Sequence, residues 1–417
     1  MENILIDLKY RGLIKDFSSE DEVSKLLSKK QTIYCGFDPS AASMHIGNLV
    51  PITILMRFQK AGHRIVAVVG GATGMIGDPS GKSKERNLLD KKAIETNTQA
   101  IRKQLSRFLD LEDPQKGILI NNYDWFSSMN MLDYLRDFGK YFPVNYLLNK
   151  EIIASRLESG ISYTEFSYTI MQAIDFYTLH KNFGCNIQIG GSDQWGNLTS
   201  GLELIRKIEG NETEVGAMTT HLILDSNGKK FGKSEGGALY LDSKLTSPYK
   251  LYQYSINVGD EDAIKYLKIF SFLDSERISS LSKEHQENLG ARIAQKTLAM
   301  ELVTLVHGKQ KAQEAKMMSE VLFSGDVKQL SKDNIEELLG SLKIRAHADV
   351  ALDELLVSIK AASSKREAKE FIGNGSISIN GEKCLDLSKI VSKKDTMFSE
   401  YVIIRRGKKN YYLVELK

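Results

Sequence analysis

The 417-residue sequence predicts an α/β chain: a parallel sheet flanked by helices, then a helical segment, then a small α+β module. Three observations carry this reading. Apolar runs repeatedly enter glycine-rich loops in the first 240 residues. Glycine then becomes rare after Ser247. Strand-like alternation returns around an Asn-Gly pair at Asn380 and Gly381.

The elements follow in order. QTIYCGFDPS, residues 31–40, reads as a short apolar strand entering an Asp-Pro turn. In MHIGNLVPITILMRFQKAG, residues Ile46, Leu49, Val50, Leu55 and Phe58 recur at helical spacing, and Gly62 marks the stop. HRIVAVVGGATG is a β-branched run that ends in glycines. Strand, helix and strand in close succession make a βαβ unit, the building block of a Rossmann-like parallel sheet. NIQIGGSDQWGN, residues 186–197, repeats the strand-into-glycine design. THLILDSNGKKFGKS, residues 220–234, repeats it again, with the strand expected at its start. Ligands of open parallel sheets sit at the carboxyl ends of the strands, so these loops are expected to face one crevice.

The resulting division assigns residues 1–220 to a Rossmann-like domain with an insertion at about 110–160, and 221–246 to a loop linker. Residues 247–325, including ARIAQKTLAMELVTLVHG, form an α-helical domain. LFSGDVKQLSKDN reads as a linker. Residues 346–417 form the α+β module, with helical period in ALDELLVSIKAASSKREAKEFIGNG and an Asn-Gly hairpin in SISINGEKCLDL.

Composition narrows the class. Apolar content of 42% with 26% charged residues is that of a soluble globular chain. A net charge of +3 does not mark a bulk nucleic-acid binder, but residues 351–417 hold 13 Lys/Arg against 9 Asp/Glu, so any RNA footprint is expected there. Cys35, Cys185 and Cys384 are far apart and lack metal-ligand spacing, which fits a reducing cytoplasm without disulfides or a protein-bound metal. The charged N-terminus is no signal peptide, and no stretch approaches the ~20 apolar residues of a membrane span. A cytoplasmic protein is expected.

Two loops raise the question of phosphate chemistry. GKKFGKS, residues 228–234, and GDPSGKS, residues 77–83, are each one residue short of the Walker A spacing. Neither is a standard phosphate cradle, which disfavours a P-loop kinase. Taken with YCGFDPSAASMHIGNLVP, GATGMIGDPSGKSKER, YTEFSYTIMQAIDFY and GGSDQWGN, in that order along the chain, KFGKS gives another answer. The sequence resembles the bacterial-type tyrosyl-tRNA synthetases of class I, from about residue 30 to the C-terminus. His45-Ile46-Gly47-Asn48 is similar to the HIGH signature of that class, and residues 230–234 to its KMSKS loop.

The resemblance implies a two-step reaction. L-tyrosine attacks ATP, which arrives with Mg2+ as substrate, to give tyrosyl-adenylate and pyrophosphate. The tyrosine then passes to the terminal adenosine of tRNA(Tyr). The attacking carboxylate is already ionised, so positioning and stabilisation of phosphate charge are expected to dominate. The implied catalytic residues are His45, Lys82, Arg86, Lys230, Lys233 and Ser234. Tyr34 and Asp175 are implied to meet the phenol hydroxyl; Tyr168, Gln172 and Asp78 the α-amino group; Gln194 the amino-acid end. Cys35, Gly36, Asp38, Ser40, His45, Gly47, Asn48, Gly191, Asp193 and Lys233 are implied to hold the nucleotide.

Helical spacing supports part of this independently. Tyr168, Gln172 and Asp175 stand at i, i+4 and i+7, on one face, where polar groups are awkward for a core and suit a pocket wall. Taken singly, His45 reads as a cap and the loop lysines as solvated surface. Trp195 reads as packing. Asn48 replaces the second histidine of HIGH, and Phe231 and Gly232 replace the methionine and central serine of KMSKS. The C-terminal module resembles the S-four-type RNA-binding fold, with Lys365, Arg366 and Lys369 on a helix face and Arg405, Arg406, Lys408 and Lys409 as a second cluster. A homodimer is implied, and the apolar-aromatic residues 124–148 are either part of its interface or a buried insertion. A tryptophan ligase, and a synthetase-derived RNA-binding protein without adenylation, remain the alternatives. Tyr34 and Asp175 speak against the first. The two intact signature loops speak against the second.

Overall fold

The computed structural model describes residues 4–81, 88–234, 237–407 and 410–417, with only the backbone of Lys233, Ser234 and Phe323. The chain divides into two compact units, Met1–His307 and Gly308–Lys417.

The first unit is built on five parallel strands: β1 (Thr32–Phe37), β2 (Arg64–Val69), β3 (Gly117–Asn121), β4 (Cys185–Gly191) and β5 (Gly216–Thr220). Their spatial order is β3-β2-β1-β4-β5. β1 leads one way to β2 and the chain later returns to the other side of β1, so a crevice opens between β1 and β4. The β1–β4 register shifts between Thr32 and Ile33, which sets Tyr34 beside Gln188.

Helix α1 (Leu49–Lys60) buries Leu49, Val50, Leu55 and Phe58, as its spacing predicts, and also Ile52. Helices α2 (Tyr163–Phe183) and α3 (Trp195–Glu209) pack on the sheet through Phe176, Leu179, Leu198, Leu202 and Ile205 against Val66 and Val68. Ser162 starts α2 by accepting the Glu165 N–H at 3.2 Å. The buried ion pair Arg156–Glu165 (3.0 Å) ties the same turn to the preceding insertion.

One strand differs from expectation. The strand expected at the start of residues 220–234 lies earlier, as β5, and residues 221–232 leave the sheet. Every residue of β5 is buried, whereas Leu222 and Leu224 are 44% and 37% exposed. The alternating apolar residues of HLIL therefore belong to a surface hairpin, closed by a bridge between Leu224 and Lys230.

The helical part of this unit includes Pro248–Ile256, α4 (Asp260–Phe270), Ser275–Glu287 and Ile293–His307. Two buried arginines grip the carboxyl end of α4. Arg11 donates to the Lys268 carbonyl (2.9 Å) and the Leu273 carbonyl (2.8 Å), and Arg57 of α1 donates to the Ser271 carbonyl (2.5 Å). Cations at a helix carboxyl end are favoured by the backbone dipole. Burial lowers the Arg57 pKa to about 10, and Asp7 stands between both guanidinium groups.

The second unit takes in more chain than the 346–417 module. Helix Lys309–Ser324, expected with the helical domain, falls in this unit, where the Leu322 carbonyl accepts from Tyr411 Oη at 2.8 Å. Helix Lys332–Leu339 begins at the end of the segment read as a linker, residues 322–334, and strand Lys343–Ala346 joins the sheet beside Asn410–Leu416. The expected hairpin forms from Ile377–Ile379 and Glu382–Lys383, with Asn380 and Gly381 at φ 49° and 88°.

Candidate functional site

A cavity of about 460 Å³ opens at the carboxyl ends of β1, β2 and β4. Its wall brings together Tyr34, Cys35, Gly36, Asp38, Ser40, His45, Gly47, Asn48, Asp78, Tyr168, Gln172, Asp175, Gly191, Asp193, Gln194 and Lys230. Residues from Tyr34 to Lys230 in the sequence thus share one surface. Lys82 and Arg86 lie outside the described residues. Of Lys233 and Ser234 the structure gives a two-residue strand paired with Gly237–Ala238.

Asp175 and Tyr34 form the buried end, 4% and 1% exposed. The Asp175 carboxylate accepts from Asn122 Nδ2 (3.1 Å) and Trp125 Nε1 (2.9 Å). Burial nevertheless pushes its pKa up to about 8. The Tyr34 hydroxyl accepts from Gln188 Nε2 at 2.7 Å, which leaves its own proton for another acceptor. Burial, and then the Asp175 charge, push the Tyr34 pKa well above its ordinary value, so it stays a hydroxyl. A deprotonatable acceptor and a neutral donor suit a ligand hydroxyl that donates to one and accepts from the other.

Asp38 occupies the middle. Thr73 Oγ1 and the Tyr168 hydroxyl donate to its two oxygens at 2.7 and 2.9 Å. Gly70 makes room for it: a Cβ there would lie 2.0 Å from Asp38 Oδ1. Thr73 also accepts from Asn122 at 3.0 Å, so a continuous hydrogen-bond chain runs from Tyr168 through Asp38, Thr73 and Asn122 to Asp175. Beside it, Asp78 accepts from Gln194 Nε2 (2.7 Å) and from the Ser80 N–H (2.9 Å). Asn197 donates to Gln194 Oε1 (3.0 Å) and accepts from Thr169 (2.9 Å), which fixes the orientation of the Gln194 amide.

At the mouth, His45 caps the short turn Ile46–Asn48. Its Nδ1 accepts the Gly47 N–H (3.1 Å), and Asn48 Oδ1 accepts the His45 N–H (3.1 Å). An Nδ1 that accepts puts the ring proton of the neutral imidazole on Nε2, as a donor. Asn48 thus serves as the partner in a capping box.

The KFGKS stretch is seated against this turn. Ile46 N–H donates to the Leu239 carbonyl (2.8 Å), and Leu239 N–H to the Gly232 carbonyl (3.0 Å). Gly232 has φ +81°, and a Cβ there would lie 1.9 Å from Ile46 Cγ2, so only glycine fits. Phe231 is buried among Tyr254, Tyr266 and Phe270, with ring centroids 5.7, 4.5 and 4.7 Å away.

Thr73, Asn122, Trp125, Gln188 and Asn197 were not singled out from sequence. Thr73 and Asn122 follow the ends of β2 and β3, a position that could have drawn attention to them. Gln188 and Asn197 sit in ordinary strand and helix patterns and carry no such signal.

In the second unit the basic residues are largely engaged. Lys365 pairs with Glu354 and Lys369 with Asp353 at 3.7 Å. Arg406 donates to the Ala361 carbonyl (2.7 Å) over the Phe371 ring, and Arg405 lies over Tyr411. Arg366 is exposed. Lys408 and Lys409 lie outside the described residues. Residues 124–148 divide: Phe142 and Leu147 are buried against Ile170 and Ile174 of α2, while Met131 and Leu132 are about three-quarters exposed, 74% and 76%.

Residues 27–324 match the model of the tRNA synthetases class I (W and Y), and residues 333–414 match the tyrosine–tRNA ligase SYY-like C-terminal domain. With the switch-point crevice and its two signature loops, this defines a class I aminoacyl-tRNA synthetase, and the chain belongs to that family. It is 48% identical to Tyrosine–tRNA ligase 1 of Bacillus licheniformis over 100% of both chains, and 48% identical to the Tyrosine–tRNA ligase of Geobacillus stearothermophilus over 99% of both. A C-terminally truncated mitochondrial tyrosyl-tRNA synthetase of Aspergillus nidulans superposes with a TM-score of 0.71 at 31% identity, covering 78% of this chain and 95% of its own. Within the class, the chain stands among the tyrosine–tRNA ligases, which removes both alternatives left open by the sequence.

Proposed function

We propose that the cavity binds L-tyrosine with its phenol at Asp175 and Tyr34 and its amino group at Asp78, Tyr168 and Gln172, with ATP along Asp38, His45, Gly47 and the 191–194 turn. One observation carries this reading: the buried end offers the Asp175 carboxyl group as an acceptor and the Tyr34 hydroxyl as a donor to the tip of an aromatic substrate. Phenylalanine would leave both groups without their partner, a cost of ~1–3 kcal/mol for each buried polar group.

The chemistry then needs no base. The tyrosine carboxylate attacks the α-phosphorus of ATP, the bond to the β-phosphate oxygen breaks, and pyrophosphate leaves with the electron pair. His45 Nε2–H donates to the charge that develops on phosphate oxygen, beside the backbone N–H groups of its turn. Lys230 and Lys233 from one loop, and Lys82 and Arg86 from another, meet the leaving pyrophosphate. Ser234, of the same loop as Lys230 and Lys233, is assigned to the pyrophosphate with them. A hydroxyl of the terminal ribose of tRNA(Tyr) next attacks the carbonyl carbon of the adenylate, giving up its proton, and AMP leaves with the electron pair of the broken carbonyl–oxygen bond.

Magnesium enters with the nucleotide as part of the substrate. No cluster of three or more His, Cys, Asp or Glu among the described residues could hold an ion of its own. No described helix is long and apolar enough to cross a membrane. The exposed apolar side chains of 131–144 support a homodimer contact in this reading, and the exposed basic residues of the C-terminal module support contact with tRNA phosphates.

Amino-acid-dependent ATP–pyrophosphate exchange across the twenty amino acids tests the assignment. Tyrosine should give strong exchange and phenylalanine little. Equal exchange with both would overturn the role given to Asp175 and Tyr34.

A further inference from the structure

Lys230 is bracketed by two attachments, and both come from the helical segment after residue 247. Four residues before it, the Asp262 carboxylate takes hold of Ser226. Oδ2 accepts from the Ser226 N–H at 3.0 Å and from the Ser226 hydroxyl at 3.1 Å. Two residues after it, the Tyr254 hydroxyl accepts the Gly232 N–H at 2.9 Å, and Phe231 is buried in the Tyr254–Tyr266–Phe270 cluster. Lys265, one turn beyond Asp262, donates to the Leu224 carbonyl at 2.7 Å.

Asp262 is built for this contact. It is 5% exposed and lies in the first turn of α4, where a carboxylate is favoured by the helix dipole. The helix N-cap is Gly259, which has no side chain to spend on capping. The far end of α4 is held by Arg57, and Arg57 belongs to α1, the helix whose amino end carries the His45 turn. One helix, α4, therefore links the carboxyl end of α1 to the Lys230 hairpin.

We infer that Asp262 is a positioning residue for tyrosine activation: it fixes Ser226, and through the hairpin it sets where Lys230 meets the triphosphate. The inference rests on the pyrophosphate role proposed above for Lys230. Misplacing a charge-stabilising group by about 1 Å can cost about 100-fold in rate.

The test uses single-turnover formation of tyrosyl-adenylate by the full-length enzyme. Asp262→Ala should slow the step at saturating ATP by about 10–100-fold and leave the tyrosine Kd unchanged. Asp262→Asn, whose amide oxygen can still accept from both Ser226 donors, should recover most of that rate. Ser226→Ala, a mild surface change that removes one of the two bonds, should slow the step several-fold. In a Lys230→Ala background, Asp262→Ala should add little further loss. Four results would overturn the inference: wild-type rate in Asp262→Ala; an Asn variant no better than Ala; parallel losses of tyrosine binding and thermal stability; or full additivity with Lys230→Ala. If Lys230→Ala itself activates tyrosine at the wild-type rate, the proposed role of Lys230 fails first, and the inference falls with it.

Discussion

Replacing Asp175 with alanine isolates the physical basis of substrate choice. The carboxylate accepts from Asn122 at 3.1 Å and Trp125 at 2.9 Å, and on the proposed reading it also accepts from the substrate hydroxyl. Above about pH 8, where Asp175 is ionised, a hydrogen bond to the charged group contributes ~1.5–3 kcal/mol, so kcat/KM for tyrosine measured there should fall about 10–150-fold from that bond alone. Phenylalanine never makes the bond. Its ring would meet a less polar cavity in the variant, so its kcat/KM should hold steady or rise. The tyrosine-to-phenylalanine ratio should therefore narrow by at least about tenfold, while the KM for ATP changes little, because Asp38 and His45 are untouched. The assay is pyrophosphate exchange with each amino acid, wild type against variant. A variant that keeps the wild-type ratio would refute the assignment of Asp175 to the hydroxyl, however much its overall activity falls.

Asp175 also has a signature in stability. It holds its proton to about pH 8 in the folded chain, against an ordinary value of 3.8. Between those values the folded state binds the extra proton, so this group's contribution to stability falls as pH rises from about 4 to 8 and then levels off. Asp175→Asn should remove that slope, seen as a Tm gain over wild type that is larger at pH 8.5 than at pH 6 in calorimetry. Gly232→Ala places a methyl group 1.9 Å from Ile46 Cγ2, so adenylate formation should slow at least tenfold with tyrosine affinity retained; stopped-flow activation at wild-type speed would contradict the close seating of the loop. Arg156→Leu leaves Glu165 buried without its cation and should cost about 3–5 kcal/mol in urea unfolding. A chain ending at His307 should still exchange pyrophosphate and should fail to charge tRNA(Tyr); charging at the full-length rate would remove the C-terminal unit from the RNA-binding role.

Local pattern disclosed the parts of the molecule whose chemistry is written in consecutive residues. The strand over Thr32–Phe37, the helix ending near Gly62 and the Asn380–Gly381 turn all follow from periodicity and turn preference. The shared face of Tyr168, Gln172 and Asp175 followed from helical spacing, and all three line the cavity. Asn122, Trp125 and Gln188 did not, because each becomes special only through a neighbour about 50 or 150 positions away. A helical pattern likewise gives the buried face of Lys309–Ser324 but not the body against which that face packs. The basic side chains Arg405 and Arg406 look alike in sequence to Lys365, yet they are woven into backbone and ring contacts that charge alone cannot reveal.

The switch between β1 and β4 has a consequence for how such a chain can vary. On the proposed roles, the groups that read the amino-acid side chain come mostly from α2 and β4, with Tyr34 at the seam. Those that handle the nucleotide come from the loop after β1, the start of α1, the 191–194 turn after β4 and the 222–232 hairpin. The two sets are joined by the hydrogen-bond chain from Asp38 to Asp175. A descendant or a designer could therefore redraw the end of the cavity around Asp175 and Gln188, exchanging one amino acid for another, and leave the triphosphate machinery as inherited. The link that would have to be preserved is Thr73–Asn122, since it is shared property of both halves.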